Sequence, residues 1–387
     1  MSFDKILNKI DNELLRKVRL CCNEKHSCVV YVTSFVSFRQ TIKKSGVGEF
    51  FEYPFIKAMG MCLSDSQILM IAKNNNVKYI SSGSRVFAQI GVAKKIMHIH
   101  HFYDVGIFGN NSTIAIIDTG ICPHLDFCVP RQRIVKFVDL INNRAEPYDD
   151  NGHGSFVASI ACGNGISSGG KFAGIATQAN IISIKALEKN GEAGAFKILE
   201  AMQWVYDNRR KYNIRVVCMS FGSNSLGEQD PLLLGAEALW NAGIVVVAAA
   251  GNSGPDEGSI KSPGTANKII TVGGLNDNRN ERDEVSPNNF EVAEFSSRGP
   301  AGYYFKPDLV APATNITGVS KSGSYQKMSG TSVATPMIAG IACLIMDKNP
   351  DITPDQLKIR LVRSCRGITQ NRNHEGFGLF DADLLFR

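Results

Sequence analysis

The stretch STIAIIDTG, residues 112–120, decides the fold class of this chain. It is a short apolar run that ends at Asp118, and four further runs of this kind follow it: ANIISIKAL, RVVCMSFG, GIVVVAAAGN and KIITVGG. Helical patterns separate some of the runs, at 194–210 and 231–242. Apolar strands that alternate with helices are typical of a mostly parallel sheet covered on both faces. We therefore predict an α/β fold with a doubly wound, mostly parallel sheet.

Small and polar residues follow the carboxyl ends of these strands. The segments concerned are Asp118-Thr119-Gly120, Ser220-Phe221-Gly222 and Gly251-Asn252. In a parallel sheet, ligand-binding and catalytic residues usually lie at this edge. A carboxylate such as Asp118 at the end of a buried strand also needs a charged or hydrogen-bonding partner. The sequence thus predicts a functional site at the carboxyl edge of the sheet.

A histidine and a serine add to this set. His153 lies between Gly152 and Gly154 in DDNGHGSFVASIACG, and an apolar helical pattern follows it. Ser332 lies in KMSGTSVATPMIAGIACLIM, whose long apolar run predicts a buried helix. Proline is tolerated in the first turn of a helix, so Pro336 favours a helix that begins close to Ser332. At a helix N-terminus, the unpaired backbone amides and the helix dipole favour negative charge. Taken alone, the serine also fits a simple N-cap. Acyl transfer by an activated hydroxyl requires an aspartate, a histidine, an asparagine and a serine close together. All four residue types occur here at strand ends or helix starts.

Four segments carry a resemblance to a known family. AIIDTGICPHLDF, DDNGHGSFVASIACG, AAAGNSG and SGTSVATPMIAG resemble, in order, the signature segments of subtilisin-like serine proteases, and the likeness covers roughly residues 90–387. It implies a serine endopeptidase in which Asp118 orients His153. It also implies that His153 takes the proton from the nucleophile Ser332, and that the side-chain amide of Asn252 completes the oxyanion hole with the N–H of Ser332.

The same resemblance implies how a polypeptide substrate binds. An extended substrate would lie between two backbone edges, at residues 189–195 and 220–222, and pair with them without reading its sequence. The expected substrate-binding residues are Gly191, Gly194, Ser220, Phe221, Gly222 and Gly251. Lys261, in GSIKSPG, falls near the floor of the specificity pocket. Whether its ammonium enters that pocket or points to solvent stays open.

The N-terminal region has a pattern of its own. Residues 2–20 follow helical spacing and predict an amphipathic helix that packs on the protein itself. Residues 28–88 predict a small α+β domain with the order strand, helix, strand, strand, helix, strand. This domain resembles the inhibitory pro-domain of the subtilisin family, with 1–27 before it and a catalytic domain over 89–387. The resemblance implies a self-inhibited zymogen that cuts itself between about residues 84 and 90.

Composition limits the partners and the compartment. Lysine and arginine total 42 against 36 acids, for a net charge of +6, and no block of like charges indicates a nucleic-acid partner. No apolar run of about 18 residues suggests a membrane span. The ten cysteines form no CxxC pair, and the N-terminus lacks the apolar core of a secretory signal. These features together predict a cytoplasmic protein.

No cofactor is expected. The segment 161–177 is shorter than the calcium-binding loop of secreted relatives and holds no acid, which argues against a tight calcium site there. HIHHF, residues 98–102, has metal-ligand chemistry, but no acid lies close on its N-terminal side, so we expect no metal site.

Two alternatives to the peptidase remain. A catalytically silent scaffold could use the same fold to bind a protein partner, although the presence of all four catalytic residue types argues against it. An esterase or a peptide ligase could use the same site, and the sequence does not separate these activities.

Overall fold

The protein folds as two compact units, Met1–Val86 and Phe87–Arg387. The computed structural model describes residues 6–11, 14–15, 18, 25–82, 92–279, 286 and 289–387. The cleavage range expected at residues 84–90 lies outside the described residues.

Over residues 25–82 the N-terminal unit contains a four-stranded antiparallel sheet with two α-helices. In chain order its elements are β1 (Lys25–Val32), α1 (Phe35–Lys44), β2 (Phe50–Tyr53), β3 (Ala58–Ser64), α2 (Asp65–Ala72) and β4 (Val77–Ser82). The strand order across the sheet is β2-β3-β1-β4. Helix α2 begins in a capping box in which Ser64 accepts from the backbone N–H of Gln67 and the Gln67 side chain accepts in return. The predicted order of strands and helices is confirmed.

The prediction of one continuous helix over residues 2–20 is wrong. Ile10 forms a parallel bridge with Ile80 of β4. The N–H of Ile80 donates to the carbonyl of Lys9 at 2.6 Å, and the N–H of Asp11 donates to the carbonyl of Ile80 at 3.0 Å. The N–H of Asp11 is thus used by Ile80 and not by the carbonyl of Leu7, so the helical series of hydrogen bonds is interrupted here. The apolar residues at helical spacing are nevertheless buried in the core of this unit: Ile6, Ile10, Leu14 and Val18.

The C-terminal unit is built on a ten-stranded sheet. Its strands are β5 (Thr113–Asp118), β6 (Ile134–Asp139), β7 (Asn180–Lys185), β8 (Ile214–Met219), β9 (Val245–Ala249), β10 (Ile270–Asn276), β11 (Glu291–Val292), β12 (Leu309–Pro312), β15 (Cys365–Arg366) and β16 (Leu379–Phe380). A separate hairpin joins β13 (Ile316–Val319) and β14 (Tyr325–Met328). The strand order is β15-β16-β12-β10-β9-β8-β5-β7-β6, with β11 beside β10.

All neighbours in this sheet from β6 to β16 are parallel, while β11 and β15 pair antiparallel. The first strand along the chain, β5, lies inside the sheet between β7 and β8. The chain therefore winds first to one side of β5 and then to the other. This arrangement confirms the doubly wound α/β class and makes the carboxyl end of β5 a topological switch point.

Ten helices accompany the sheet in the described part of this unit. They are α3 (Val92–Ile96), α4 (His100–Asp104), α5 (Leu125–Cys128), α6 (His153–Cys162), α7 (Ala195–Asn208), α8 (Pro231–Asn241), α9 (Thr331–Lys348), α10 (Pro354–Arg363), α11 (Arg372–Glu375) and α12 (Ala382–Phe386). Helix α9 packs against β8, β9 and β10 and against α6, while α7 and α8 pack against each other. The two helices that begin at candidate site residues, α6 and α9, are thus neighbours.

Helix α9 is the long apolar helix that the sequence predicts. Almost all of its residues are buried. Among the helices of the described residues it alone is long and apolar enough to cross a membrane, and most of it is buried inside this unit. It begins at Thr331, so Pro336 lies in the second turn instead of the predicted first. Because proline has no N–H, the carbonyl of Ser332 lacks the usual helical donor four residues on.

Candidate active site

Asp118 and His153 form a close pair at the carboxyl edge of the sheet. Asp118 is the last residue of β5 and is 1% exposed. His153 is the first residue of α6, and its Nδ1 lies 2.8 Å and 2.9 Å from the two carboxylate oxygens of Asp118. The N–H of Thr119 also donates to Oδ1 of Asp118 at 2.7 Å. The buried carboxylate thus has the partners that its desolvation requires.

The glycines beside His153 allow this close approach. A Cβ on Gly154 would clash with the carbonyl oxygen of Gly120 and would lie 3.2 Å from Cβ of Asp118. Gly152, on the other side, has a φ of +109°, in the left-handed region that favours glycine. Only a glycine at 154 lets the start of α6 close against the end of β5.

Asp149 joins the two loops that carry the pair. Its carboxylate accepts from the N–H of Gly152 at 2.7 Å and from the N–H and hydroxyl of Ser155 at 2.8 Å and 2.7 Å. It also accepts from the hydroxyl of Thr119 at 2.9 Å, and that hydroxyl accepts from the N–H of Gly154 at 2.9 Å. The sequence analysis missed Asp149; the signal that could have found it is an acid shortly before a helix N-terminus, where unpaired amides favour negative charge.

Lys185 adds a buried cation next to the pair. It ends β7 opposite Asp118, and its side chain is completely buried. Its Nζ donates to the carbonyl of Thr119 at 2.7 Å, to the carbonyl of Leu187 at 3.0 Å and to Oδ1 of Asp150 at 2.7 Å. Lysine is rarely buried without a partner, and these three acceptors supply what its ammonium requires. Lys185 therefore fixes the loop after Asp118 to the loop before His153.

The charges around His153 change its acidity. Burial by itself would lower the pKa of the imidazole. The charge and hydrogen bond of Asp118, and then the charge of Asp149, outweigh that effect and raise the pKa of His153 above its ordinary value. The site therefore stabilises an imidazolium.

Ser332 and Asn252 lie side by side around Gly330. Ser332 is the second residue of α9, and Asn252 follows β9. A Cβ on Gly330 would lie 3.2 Å from Oγ of Ser332 and 3.3 Å from Nδ2 of Asn252. The Oδ1 atom of Asn252 accepts from the N–H of Thr331 at 2.9 Å and from its hydroxyl at 3.0 Å. Because Oδ1 is held in this way, the N–H donors on Nδ2 point to the other side of the amide. The sequence analysis did not find that Thr331 orients Asn252.

The first expected substrate edge is a loop attached to the start of α6. The N–H of Glu188 donates to the carbonyl of Glu192 at 2.8 Å, and Gly191 has a φ of +83° in the turn between them. Nδ2 of Asn151 donates to the carbonyl of Lys189 at 2.9 Å. Gly191 and Gly194 are both exposed. The loop is therefore accessible and is fixed to the segment that carries His153.

The second expected edge continues from neighbouring strands. Ser220, Phe221 and Gly222 follow β8, and Gly251 follows β9, its parallel neighbour. Ser223 exchanges two backbone hydrogen bonds of 2.9 Å with Ser262. The predicted pocket residues thus lie at the ends of adjacent strands.

Lys261 lies between the pocket glycines. A Cβ on Gly222 would lie 2.6 Å from Cβ of Lys261, and one on Gly251 would clash with its Cγ. Its Nζ donates to Oδ1 of Asn224 at 2.7 Å in an exposed hydrogen bond. The methylenes of Lys261 therefore pack against both glycines, while the ammonium is exposed and bonded to Asn224.

Two observations concern the segments where the sequence analysis expected no metal site, residues 161–177 and HIHHF. Within 161–177, the carbonyl of Gly174 accepts from Nζ of Lys94 at 3.1 Å. No acid lies close before HIHHF in the sequence, but Asp381 and Asp383 near the C-terminus both approach His98 in the fold.

Comparisons with known proteins agree with this geometry. The sequence model described as the subtilase family matches residues 109–378. Serine protease AprX of Bacillus subtilis is 40% identical over 313 residues, which cover 75% of this chain and 69% of that protein. The thermostable alkaline protease of Halalkalibacterium halodurans is 30% identical over 317 residues, which cover 81% and 78% of the two chains.

Solved structures give the same result for the fold. A cold adapted subtilisin-like serine proteinase superposes with a TM-score of 0.58 at 28% identity, covering 71% of this chain and 90% of that one. Sphericase superposes with a TM-score of 0.63 at 25% identity, covering 76% of this chain and 99% of its own. The chain therefore belongs to the subtilase family and is a subtilisin-like serine protease.

Proposed function

We propose that the chain is an endopeptidase that cleaves peptide bonds through an acyl-enzyme on Ser332. The observation that carries this proposal is the double contact of His153 with the buried Asp118, on loops that hydrogen bonds fix to each other. A serine beside an amide donor, at the N-terminus of the neighbouring helix, supplies the other parts of the reaction.

The proposed steps follow from donor and acceptor roles. An ionised Asp118 only accepts hydrogen bonds, so Nδ1 of His153 carries the hydrogen and Nε2 is left as the base. His153 takes the proton of Ser332 as Oγ attacks the carbonyl carbon, and the oxyanion accepts from Nδ2 of Asn252 and from the N–H of Ser332. The imidazolium then gives its proton to the leaving amine. Water hydrolyses the ester by the same route.

Substrate selection follows from the two edges and from Lys261. We propose that an extended peptide pairs with residues 189–195 on one side and 220–222 on the other. The stem of Lys261 lies between Gly222 and Gly251, and its ammonium is exposed beside Asn224, close to the second proposed edge. An acidic P1 side chain would meet this ammonium, so we propose a preference for acidic P1 residues.

We also propose that the N-terminal unit is an inhibitory pro-domain and that Ser332 removes it. Two facts support this. The unit has its own core and the predicted order of strands and helices. The boundary between the two units, at Val86 and Phe87, falls inside the proposed cleavage range 84–90. Because the tethered segment has a high effective concentration, the first cut should be intramolecular.

The test is the intact mass of the purified protein, wild type against Ser332→Ala. The wild type should end as two fragments or as a mature form of about residues 85–387, at a rate independent of protein concentration. Ser332→Ala should stay a single chain and should not hydrolyse peptides. Cleavage of the serine variant at the same place in a protease-free preparation would refute self-processing, whereas an uncut, active wild type would make the N-terminal unit a permanent accessory domain.

We propose a reducing compartment, the cytoplasm, for this enzyme. The eight cysteines in the described residues are free, and burial raises the pKa of Cys162 and of Cys218 to about 12. Freshly purified, denatured Ser332→Ala protein, which should keep the whole chain, should show ten titratable thiols. Disulfides in that sample would contradict the proposal.

A further inference from the structure

The segment HIHHF, which the catalytic site does not use, meets the last residues of the chain. Nδ1 of His98 lies 2.7 Å from Oδ1 of Asp381 and 3.5 Å from Oδ2 of Asp383. One ligand atom from each of these three side chains lies within 4.8 Å of the others. His98 and Asp381 are separated by 283 positions along the chain, and folding brings them together at the start of α12.

The charges of this cluster differ from those of an ordinary histidine–aspartate pair. His26 and Asp65 in the N-terminal unit form such a pair, with one carboxylate at 2.7 Å from one imidazole. At His98, two carboxylates approach the same ring nitrogen. The cluster therefore brings an imidazole nitrogen and two carboxylates together, a set of ligand types that can bind a divalent cation.

Neighbouring groups hold the two carboxylates in place. Nε2 of His101 contacts Oδ1 of Asp383, the oxygen that does not face His98. Oδ1 of Asp381 accepts from the N–H of Asp383 at 3.0 Å, which caps α12. Arg366 lies at the edge, with Nη1 3.6 Å from Oδ2 of Asp381 and Nη2 donating to a backbone carbonyl at 3.0 Å. Each of the two carboxylates thus has an outer partner of the kind that orients metal ligands.

We propose that His98, Asp381 and Asp383 form a binding site for a divalent transition metal, best suited to Zn²⁺, with water in the fourth position. An imidazole nitrogen with carboxylate oxygens suits Zn²⁺, whereas Ca²⁺ and Mg²⁺ prefer oxygen ligands alone. Ligand atoms around a tetrahedral Zn²⁺ lie about 3.3 Å apart for bonds of about 2.0 Å. The observed 2.7 Å and 3.5 Å separations need to change by only a fraction of an ångström. Binding displaces the proton between His98 and Asp381.

The site joins two distant parts of the catalytic unit. His98 lies between α3 and α4, near the start of the unit, whereas Asp381 and Asp383 begin its last helix. A metal that binds all three stabilises the folded unit, because the unfolded chain does not hold these ligands together.

The test measures Zn²⁺ binding to the full chain in a Ser332→Ala background, which removes proteolysis, with thiols blocked by iodoacetamide. Calorimetry should give one Zn²⁺ per chain, and Zn²⁺ should raise the melting temperature, whereas Ca²⁺ and Mg²⁺ should not. Co²⁺ bound in place of Zn²⁺ should show d–d bands without a thiolate charge-transfer band. His98→Asn and Asp383→Asn should each weaken Zn²⁺ binding at least about 10-fold, the loss that even an outer hydrogen-bond partner can cause.

The matched control is Asp65→Asn, which alters a two-member histidine–aspartate pair and should leave Zn²⁺ binding unchanged. The melting temperature of each variant without metal shows that it is folded, and Asp383 is exposed enough to tolerate the change. The proposal is overturned if His98→Asn and Asp383→Asn bind Zn²⁺ as tightly as the protein with both ligands intact, or if that protein does not bind Zn²⁺. None of these readouts depends on peptidase activity, so the result is independent of the proposed reaction.

Discussion

Replacing Asn252 separates its two roles, which the structure assigns to different atoms of one amide. Its Oδ1 anchors Thr331 through two hydrogen bonds, and its Nδ2 and the hydroxyl of Ser332 both lie close to Gly330. Asn252→Ala removes both atoms. Loss of one oxyanion donor typically lowers kcat by about 10² to 10³, or about 2.7–4 kcal/mol. Loss of the acceptor for Thr331 should lower the free energy of unfolding by about 1–2 kcal/mol, since each hydrogen bond contributes about 1 kcal/mol and Asn252 is exposed to water.

The matched variant Asn252→Asp keeps the acceptor and removes only the donor. It should stay closer to wild type in stability than Asn252→Ala. Its kcat should fall at least as far, because a carboxylate oxygen beside the oxyanion is repulsive. Thr331→Val gives the opposite control, since it removes the hydroxyl bond to Oδ1 and leaves Nδ2 in the chain.

The assay is kcat and KM on a chromogenic peptide, with urea unfolding of the same substitutions in a Ser332→Ala background. A donor that acts only in the transition state lowers kcat and leaves KM nearly unchanged. A large rise in KM at constant kcat in both Asn252 variants, or an active Asn252→Asp, would refute the oxyanion role.

Three further predictions concern specificity, pH and stability. Lys261→Ala should reduce the preference for glutamate over leucine at P1 by about fivefold, or about 1 kcal/mol, since the ammonium is exposed. A preference for large apolar P1 residues that is unaltered in the variant would show that the ammonium points to solvent and does not contact the substrate. Asp149→Asn should lower the pKa of His153 by removing a charge that raises it, so the acid limb of kcat/KM, where the base becomes protonated, should move to lower pH. An acid limb that stays in place would contradict this coupling. Asp308→Ala should cost about 3–5 kcal/mol in urea unfolding, because it leaves the buried ammonium of Lys306, 2.7 Å away, without its counter-charge; a loss under about 1 kcal/mol would show that the pair is not needed.

The sheet and the main site residues were predictable because their signals are local. The apolar run before Asp118 is a strand, and the long run after Ser332 is a helix, as hydrophobic patterns of those lengths indicate. Parallel strands bring their carboxyl ends to one edge, so a histidine, an asparagine and a serine could be assigned to that edge together.

Features that depend on distant partners were not predictable in this way. Ile10 has helical spacing to its neighbours, but its backbone pairs with Ile80, which no periodicity within residues 2–20 reveals. Lys185 is a lysine in an apolar strand, and its three acceptors come from loops that only the fold brings near. His98 was set aside for lack of a nearby acid, because Asp381 is remote in sequence.

The most direct test of the account is labelling with a fluorophosphonate, read by intact mass and peptide mapping. This reagent reacts with an activated serine. The account predicts one adduct per wild-type chain, on Ser332, and no adduct on Ser332→Ala or His153→Ala. Labelling of another residue, or peptide hydrolysis that persists in Ser332→Ala, would contradict the assignment of Ser332 as the nucleophile.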